Sequence, residues 1–202
     1  MQLARRILTF LMLPALLLGV ASAASLEGKQ LTTALAGGGY VILMRHASSP
    51  ATPPTAEQVA PANVSHERQL DEAGRASAHA MGEAFRHLKI PVGKVLSSTA
   101  FRALETVQQA QFPEPHTYDS LTEAGRSSEA AGSLRAQVAV APDAGTNTVI
   151  VSHLPNITDA FGADAKDLAQ GEALIFHPDG HGKAPLVARV KIEDWPKLAA
   201  AP

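Results

Sequence analysis

The chain has 202 residues, 17 Lys plus Arg against 19 Asp plus Glu, 46% hydrophobic residues and no cysteine. That is enough for one globular domain with a full core, and 18% charged residues is too few for a disordered chain. A formal net charge of −2, with an isoelectric point near 6.4, gives no general electrostatic reason to hold nucleic acid, and the lack of cysteine excludes disulfide scaffolds, thiolate metal sites and cysteine nucleophiles.

At the N-terminus, Arg5 and Arg6 precede an apolar run from Ile7 to Val20, followed by Ala21-Ser22-Ala23. Charge, apolar segment and small-residue site, in that order, form the pattern of a secretory signal. The run is broken by Pro14 and is shorter than the roughly 20 residues of a membrane span. Residues 1–23 are therefore expected to be a signal peptide, removed on export to the periplasm or beyond. Residues 24–202 would remain as a soluble domain with no membrane attachment and a net charge of −4.

Leu26 to Ala36 has helical apolar spacing, Gly37-Gly38-Gly39 stops it, and Tyr40-Val41-Ile42-Leu43-Met44 reads as a strand buried on both faces. Pro50, Pro53, Pro54 and Pro61 make Ser48 to Ser65 a long loop. Asp71 to His87 is a predicted helix, and Pro91 lies beyond its end. Val95 to Ser98 is a short strand, with Thr99 as the expected cap of a helix over Ala100 to Gln111. Thr148 to Val151, Ala173 to Phe176 and Leu186 to Val190 are further strands, the last two joined by a Pro-Asp-Gly-His-Gly turn. Helices alternating with buried strands predict an α/β fold, a three-layer α/β/α sandwich whose mostly parallel sheet ends in an antiparallel pair.

In an open α/β sheet, ligands collect beyond the carboxyl ends of the strands. Arg45-His46 follows the first strand, Ser97-Ser98 leads to Arg102, and Ser152-His153 follows Val151. Two arginines and two imidazoles converging at one rim would repel one another unless a dianion sat among them.

These segments resemble those of a known family. Val41 to Ala47, Leu96 to Thr106 and Val149 to His153 look like the signature segments of the histidine phosphatase superfamily, the phosphoglycerate-mutase-like fold. Arg68-Gln69-Leu70-Asp71-Glu72-Ala73-Gly74-Arg75 is similar to the segment that opens the family's second helix. The resemblance implies that His46 takes the phosphoryl group, that Arg45, Arg102 and His153 bind its oxygens, and that no metal or other cofactor is required. It also implies Glu123, in Leu121-Thr122-Glu123-Ala124-Gly125, as the acid that protonates the leaving group. The chain departs from the family at three places. Ala47 puts a methyl group where glycine is usual, Thr99 replaces proline, and Leu154 follows the second histidine in place of glycine.

The expected function is an exported phosphatase acting on a small-molecule or other phosphomonoester, with oligomeric state unspecified. The alternative is a catalytically silent phosphate-binding or interaction module on the same fold. A mutase ranks third, because it would have to retain a bisphosphate. Other features have ordinary structural readings. His177 and His181 lack a third ligand cluster for a metal. Glu105 and Glu172 are expected to orient or cap neighbouring elements, Trp195 to anchor the C-terminal segment, and the Asn63-Val64-Ser65 and Asn156-Ile157-Thr158 acceptor motifs to be chance matches.

Overall fold

The computed structural model describes residues 25–201; the signal-peptide reading of residues 1–23 falls outside them. The chain runs α1 (Gly28–Gly37), β1 (Val41–Arg45), α2 (Glu72–His87), β2 (Val92–Ser98), α3 (Phe101–Ala110), β3 (His116–Tyr118), α4 (Ser128–Val138), β4 (Asn147–Ser152), α5 (Leu154–Phe161), β5 (Ala173–Phe176), β6 (Leu186–Val190) and α6 (Trp195–Ala200). Short 3-10 turns follow β3, α5 and β6.

The six strands form one sheet in the order β3-β2-β4-β1-β5-β6. The pairings from β3 through β1 are parallel, and those of β5 with β1 and with β6 are antiparallel. This is the expected α/β architecture. Because strand side chains alternate between faces, β1 sends Ile42 and Met44 into one core and Val41 and Leu43 into the other. The first core is closed by α1, α2, α3 and α6, the second by α4 and α5. Trp195 is fully buried against Phe85, with ring centroids 4.6 Å apart, so the C-terminal helix is anchored as expected.

Asp71 caps α2 by accepting the Gly74 amide at 2.7 Å, while its other carboxylate oxygen accepts the Ser48 hydroxyl at 2.8 Å. Gly74 lets the helix approach closely, since a Cβ there would run into the Ser48 carbonyl. The cap of α3 differs from the expectation. Thr99 turns its hydroxyl to Asp119 at 2.8 Å, and the helix begins only at Phe101. Its first amides are met instead by the Ser98 hydroxyl, which accepts Ala100 N–H, and by the Glu67 carboxylate, which accepts Phe101 N–H.

Both asparagine motifs are structural. Asn63 is buried and exchanges hydrogen bonds with the Glu67 backbone, closing the proline-rich loop on itself. Asn156 is buried and donates to the carbonyls of Ser120 and Thr122. Glu105 and Glu172 are also buried. Glu105 accepts from Leu70 N–H and Arg75, and Glu172 accepts from Ala169 N–H and Arg189.

Candidate active site

Parallel pairing of the two central strands assembles the site's floor. Arg45 on β1 is the register partner of Ser152 on β4, so the next residues, His46 and His153, leave the sheet side by side. Their ring centroids lie 5.2 Å apart. From the neighbouring β2, the chain turns at Ser98 into α3 and brings Arg102 over both rings.

The hydrogen bonds fix the protons. Arg102 Nε donates to His46 Nε2 at 3.2 Å, while His46 Nδ1 donates to the Ala47 carbonyl at 2.8 Å. A carbonyl only accepts, so the neutral His46 ring carries its proton on Nδ1 and its lone pair on Nε2. Arg102 Nη2 lies 2.9 Å from His153 Nδ1, and His153 Nε2 lies 2.8 Å from the Ser98 hydroxyl. A guanidinium only donates, so the His153 proton sits on Nε2 and points to Ser98.

Both rings are neutral over a wide range. His46 is 1% exposed and His153 0%. Burial, reinforced by the nearby Arg102, lowers the His46 pKa to about 3 and that of His153 to about 2. Burial also lowers the pKa of Arg45 and of Arg102, while Glu123 opposes that shift at both. Arg45 donates to the Leu168 carbonyl at 3.0 Å, and its Nε is buried without a partner among the described residues. The floor is thus a desolvated, positively charged pocket, which favours a dianion.

Glu123 comes to this floor from the other side. Its Oε1 stands 3.3 Å from Arg102 Nη2 and 3.7 Å from His153 Nδ1, with the side chain 43% exposed. The segment carrying it is held by Asn156, by the Ser152 hydroxyl donating to the Leu121 carbonyl, and by a two-pronged Arg126–Asp159 pair. Gly125 is required there, because a Cβ would run into the Asp119 carbonyl. Arg102 and Glu123 open onto a cleft of about 580 Å³, whose wall includes Glu67, Thr99, Asp119 and Thr122.

All five residues singled out in the sequence therefore converge, Arg45, His46 and His153 at strand ends, Arg102 in the first turn of α3 and Glu123 across from them. Two chain positions fall elsewhere. The Ala47 methyl group packs into the core rather than the phosphate side, so the missing glycine does not crowd the cleft. His177 stacks on Tyr40 at 4.7 Å, and among the described residues no group of three His, Asp or Glu is arranged to hold a metal.

Residues 41–139 match the sequence profile of the histidine phosphatase superfamily, branch 1. These residues belong to the histidine phosphatase superfamily. Solved structures extend the likeness over the histidine phosphatase fold as a whole. The protein histidine phosphatase SixA complexed with tungstate aligns at a TM-score of 0.57 and 17% identity, covering 77% of this chain and 98% of that one. A second SixA structure, from Agrobacterium tumefaciens, aligns at 0.53 and 22% identity, covering 75% and 97%. A phosphoserine phosphatase variant from Entamoeba histolytica, in complex with phosphoserine, aligns at 0.51 and 14% identity, covering 76% and 98%. No curated protein sequence gives a significant match to the chain.

Sequence reasoning missed Arg68. It lies in the segment before α2, donates to the Pro50 carbonyl at 2.6 Å, and is near enough to lower the pKa of both histidines. Its only signal was its place in the Arg68 to Arg75 motif, because the loop that brings it to the rim of the cleft has no periodic pattern.

Proposed function

We propose that the chain is an exported phosphatase that hydrolyses a phosphomonoester through a phosphohistidine at His46. The observation that carries this reading is the His46 ring itself, whose Nδ1–H is tied to the Ala47 carbonyl and whose Nε2 lone pair faces the Arg102 guanidinium. A neutral imidazole held this way is a nucleophile aimed at the place where an anion is most stabilised.

In the first step His46 Nε2 attacks phosphorus, the P–O bond to the leaving group breaks, and Glu123 gives its proton to the departing oxygen. Arg45 and Arg102 hold the phosphoryl oxygens as charge develops on them, and a phosphate oxygen gives Arg45 Nε the acceptor that the protein does not. Entry of the phosphate shifts Arg102 off His46 Nε2. With a dianion in place, His153 gains a reason to hold a second proton and to donate from Nδ1. In the second step Glu123 takes a proton from water, which attacks the phosphohistidine and releases inorganic phosphate. The likeness to a protein histidine phosphatase and to a phosphoserine phosphatase, both removers of phosphoryl groups, supports the same class of reaction.

Brief incubation with a labelled phosphomonoester should give an acid-labile, alkali-stable phosphoprotein. His46→Ala should lose both the label and turnover, by on the order of 10⁴-fold or more. Full activity in His46→Ala would sink the mechanism, and tight phosphate binding without turnover in the unaltered protein would favour the silent binding module. Export rests on residues 1–23, and N-terminal sequencing of the secreted protein should find a start at Ala24. A cytoplasmic protein beginning at Met1 would refute it.

A further inference from the structure

Thr106 lies one turn beyond Arg102 on α3 and is fully buried. Its hydroxyl donates to the Arg102 carbonyl at 2.8 Å and accepts the Ala47 amide at 3.0 Å. A hydroxyl has a single proton, so with that proton given to Arg102 its oxygen is left to accept from Ala47. The Ala47 carbonyl in turn accepts His46 Nδ1–H. One side chain thus links the helix that carries Arg102 to the residue whose backbone sets the His46 proton.

The backbone on either side of Ala47 is fixed independently. His46 N–H donates to the Ser152 carbonyl at 3.0 Å, Gly171 N–H to the His46 carbonyl at 2.9 Å, and Asp71 N–H to the Ser48 carbonyl at 3.1 Å. The Ala47 amide is held by Thr106. Without that hydroxyl the amide would be buried and unsatisfied, and its relief requires a rotation at Ala47 that works against the flanking bonds. Such a rotation carries the Ala47 carbonyl away from Nδ1. The imidazole then has only the Arg102 Nε–H at its Nε2 to hold the Nδ1–H tautomer. Once phosphate draws Arg102 away, the form protonated on Nε2, which has no lone pair to offer phosphorus there, competes.

Resting on the reading of His46 as the nucleophile, we propose that Thr106 is a positioning residue that fixes the tautomer and orientation of His46 through the Ala47 backbone. It touches neither the substrate nor the reacting atoms. Thr106→Val keeps the shape and removes the hydroxyl, whereas Thr106→Ser keeps the hydroxyl and removes only a methyl group.

The test joins single-turnover kinetics to the ¹⁵N spectrum of the His46 ring. The unaltered protein should show the Nδ1–H tautomer. With inorganic phosphate bound, Thr106→Val should show a mixture, with phosphohistidine formation slowed about 10- to 100-fold, the scale seen when the partner that orients a ligating histidine is lost, and KM changed by less than about 3-fold. Thr106→Ser should stay within about 3-fold of the unaltered rate on the same scale. An Nε2–H tautomer in the unaltered protein overturns the proposal, and if Thr106→Val does not fold, Thr106→Ala carries the same two readouts, an unchanged tautomer and rate there overturning it. A folded Thr106→Val with unchanged tautomer and rate also overturns it, as does a Thr106→Ser that loses as much as Thr106→Val. The spectrum needs no turnover, so failure of His46 as nucleophile, read from His46→Ala, stays separate from failure of Thr106 as its positioner.

Discussion

The floor and the rim of the cleft are built by different means. His46, Arg102 and His153 sit at the ends of packed elements, are buried, and have their nitrogens placed by hydrogen bonds to one another, to Ser98 and to Ala47. Glu123 and Arg68 stand on irregular segments, and Glu123 is 43% exposed. The floor is preorganised by the sheet, so its charge stabilisation requires little rearrangement at the moment of reaction. The rim meets solvent and the leaving group, where proton transfer and substrate choice are settled. Binding of phosphate and departure of the alcohol are therefore separable functions in this site.

Paired substitutions should expose that division. Glu123→Gln should slow alkyl phosphates by about 10²–10⁴ while scarcely affecting nitrophenyl phosphate, whose leaving group needs little protonation. Arg102→Ala should slow both by on the order of 10²–10³ and weaken inhibition by vanadate. Equal losses on the two substrates in Glu123→Gln would remove it as the acid and dissolve the distinction between floor and rim.

Acid stability probes the floor alone. With folded-state pKa values of about 3 for His46 and about 2 for His153, the unfolded chain, whose histidines titrate near 6.5, binds more protons between these limits. Stability from the neutral pair is complete above pH 6.5 and is lost as pH falls. At pH 5 each ring forfeits about 2 kcal/mol, and for a chain of this size the pair should lower Tm by roughly 5–15 °C. His153→Gln should reduce the slope of unfolding free energy against pH by about one proton over pH 5–6. An unchanged slope in urea titrations would show that His153 is charged in the folded protein.

The same division decides what the sequence made legible. The apolar runs of β1 and β4, each followed at once by a histidine, mark the floor because burial on both faces leaves an unbroken hydrophobic signal. Other elements lack such a signal. Ser128–Val138 buries two alanines beside Leu134 and Val138, a weak apolar stripe, β3 is three exposed residues at the sheet edge, and α5 begins directly after His153, where the pattern still reads as a strand end. The cap of α3 was misread because Glu67, 34 positions away, is supplied by tertiary structure and leaves Thr99 free for Asp119. Glu123 was found through the motif alone, since nothing in local periodicity places it beside Arg102.

Arg68 tests whether floor and rim are electrically independent. It stands on the rim segment, its Nε tied to the Pro50 carbonyl, yet its charge reaches both buried histidines. If its part is long-range attraction of the dianion, Arg68→Ala should lower kcat/KM by about 3- to 10-fold at low ionic strength, mostly through KM. The loss should shrink toward nothing near 1 M salt, where the Debye length is about 3 Å. Arg68→Lys should recover most of it, because it keeps the charge and forgoes only the guanidinium's geometry. A loss that is independent of salt and not recovered by lysine would assign Arg68 to holding the loop at Pro50, and would leave the floor's field to Arg45 and Arg102.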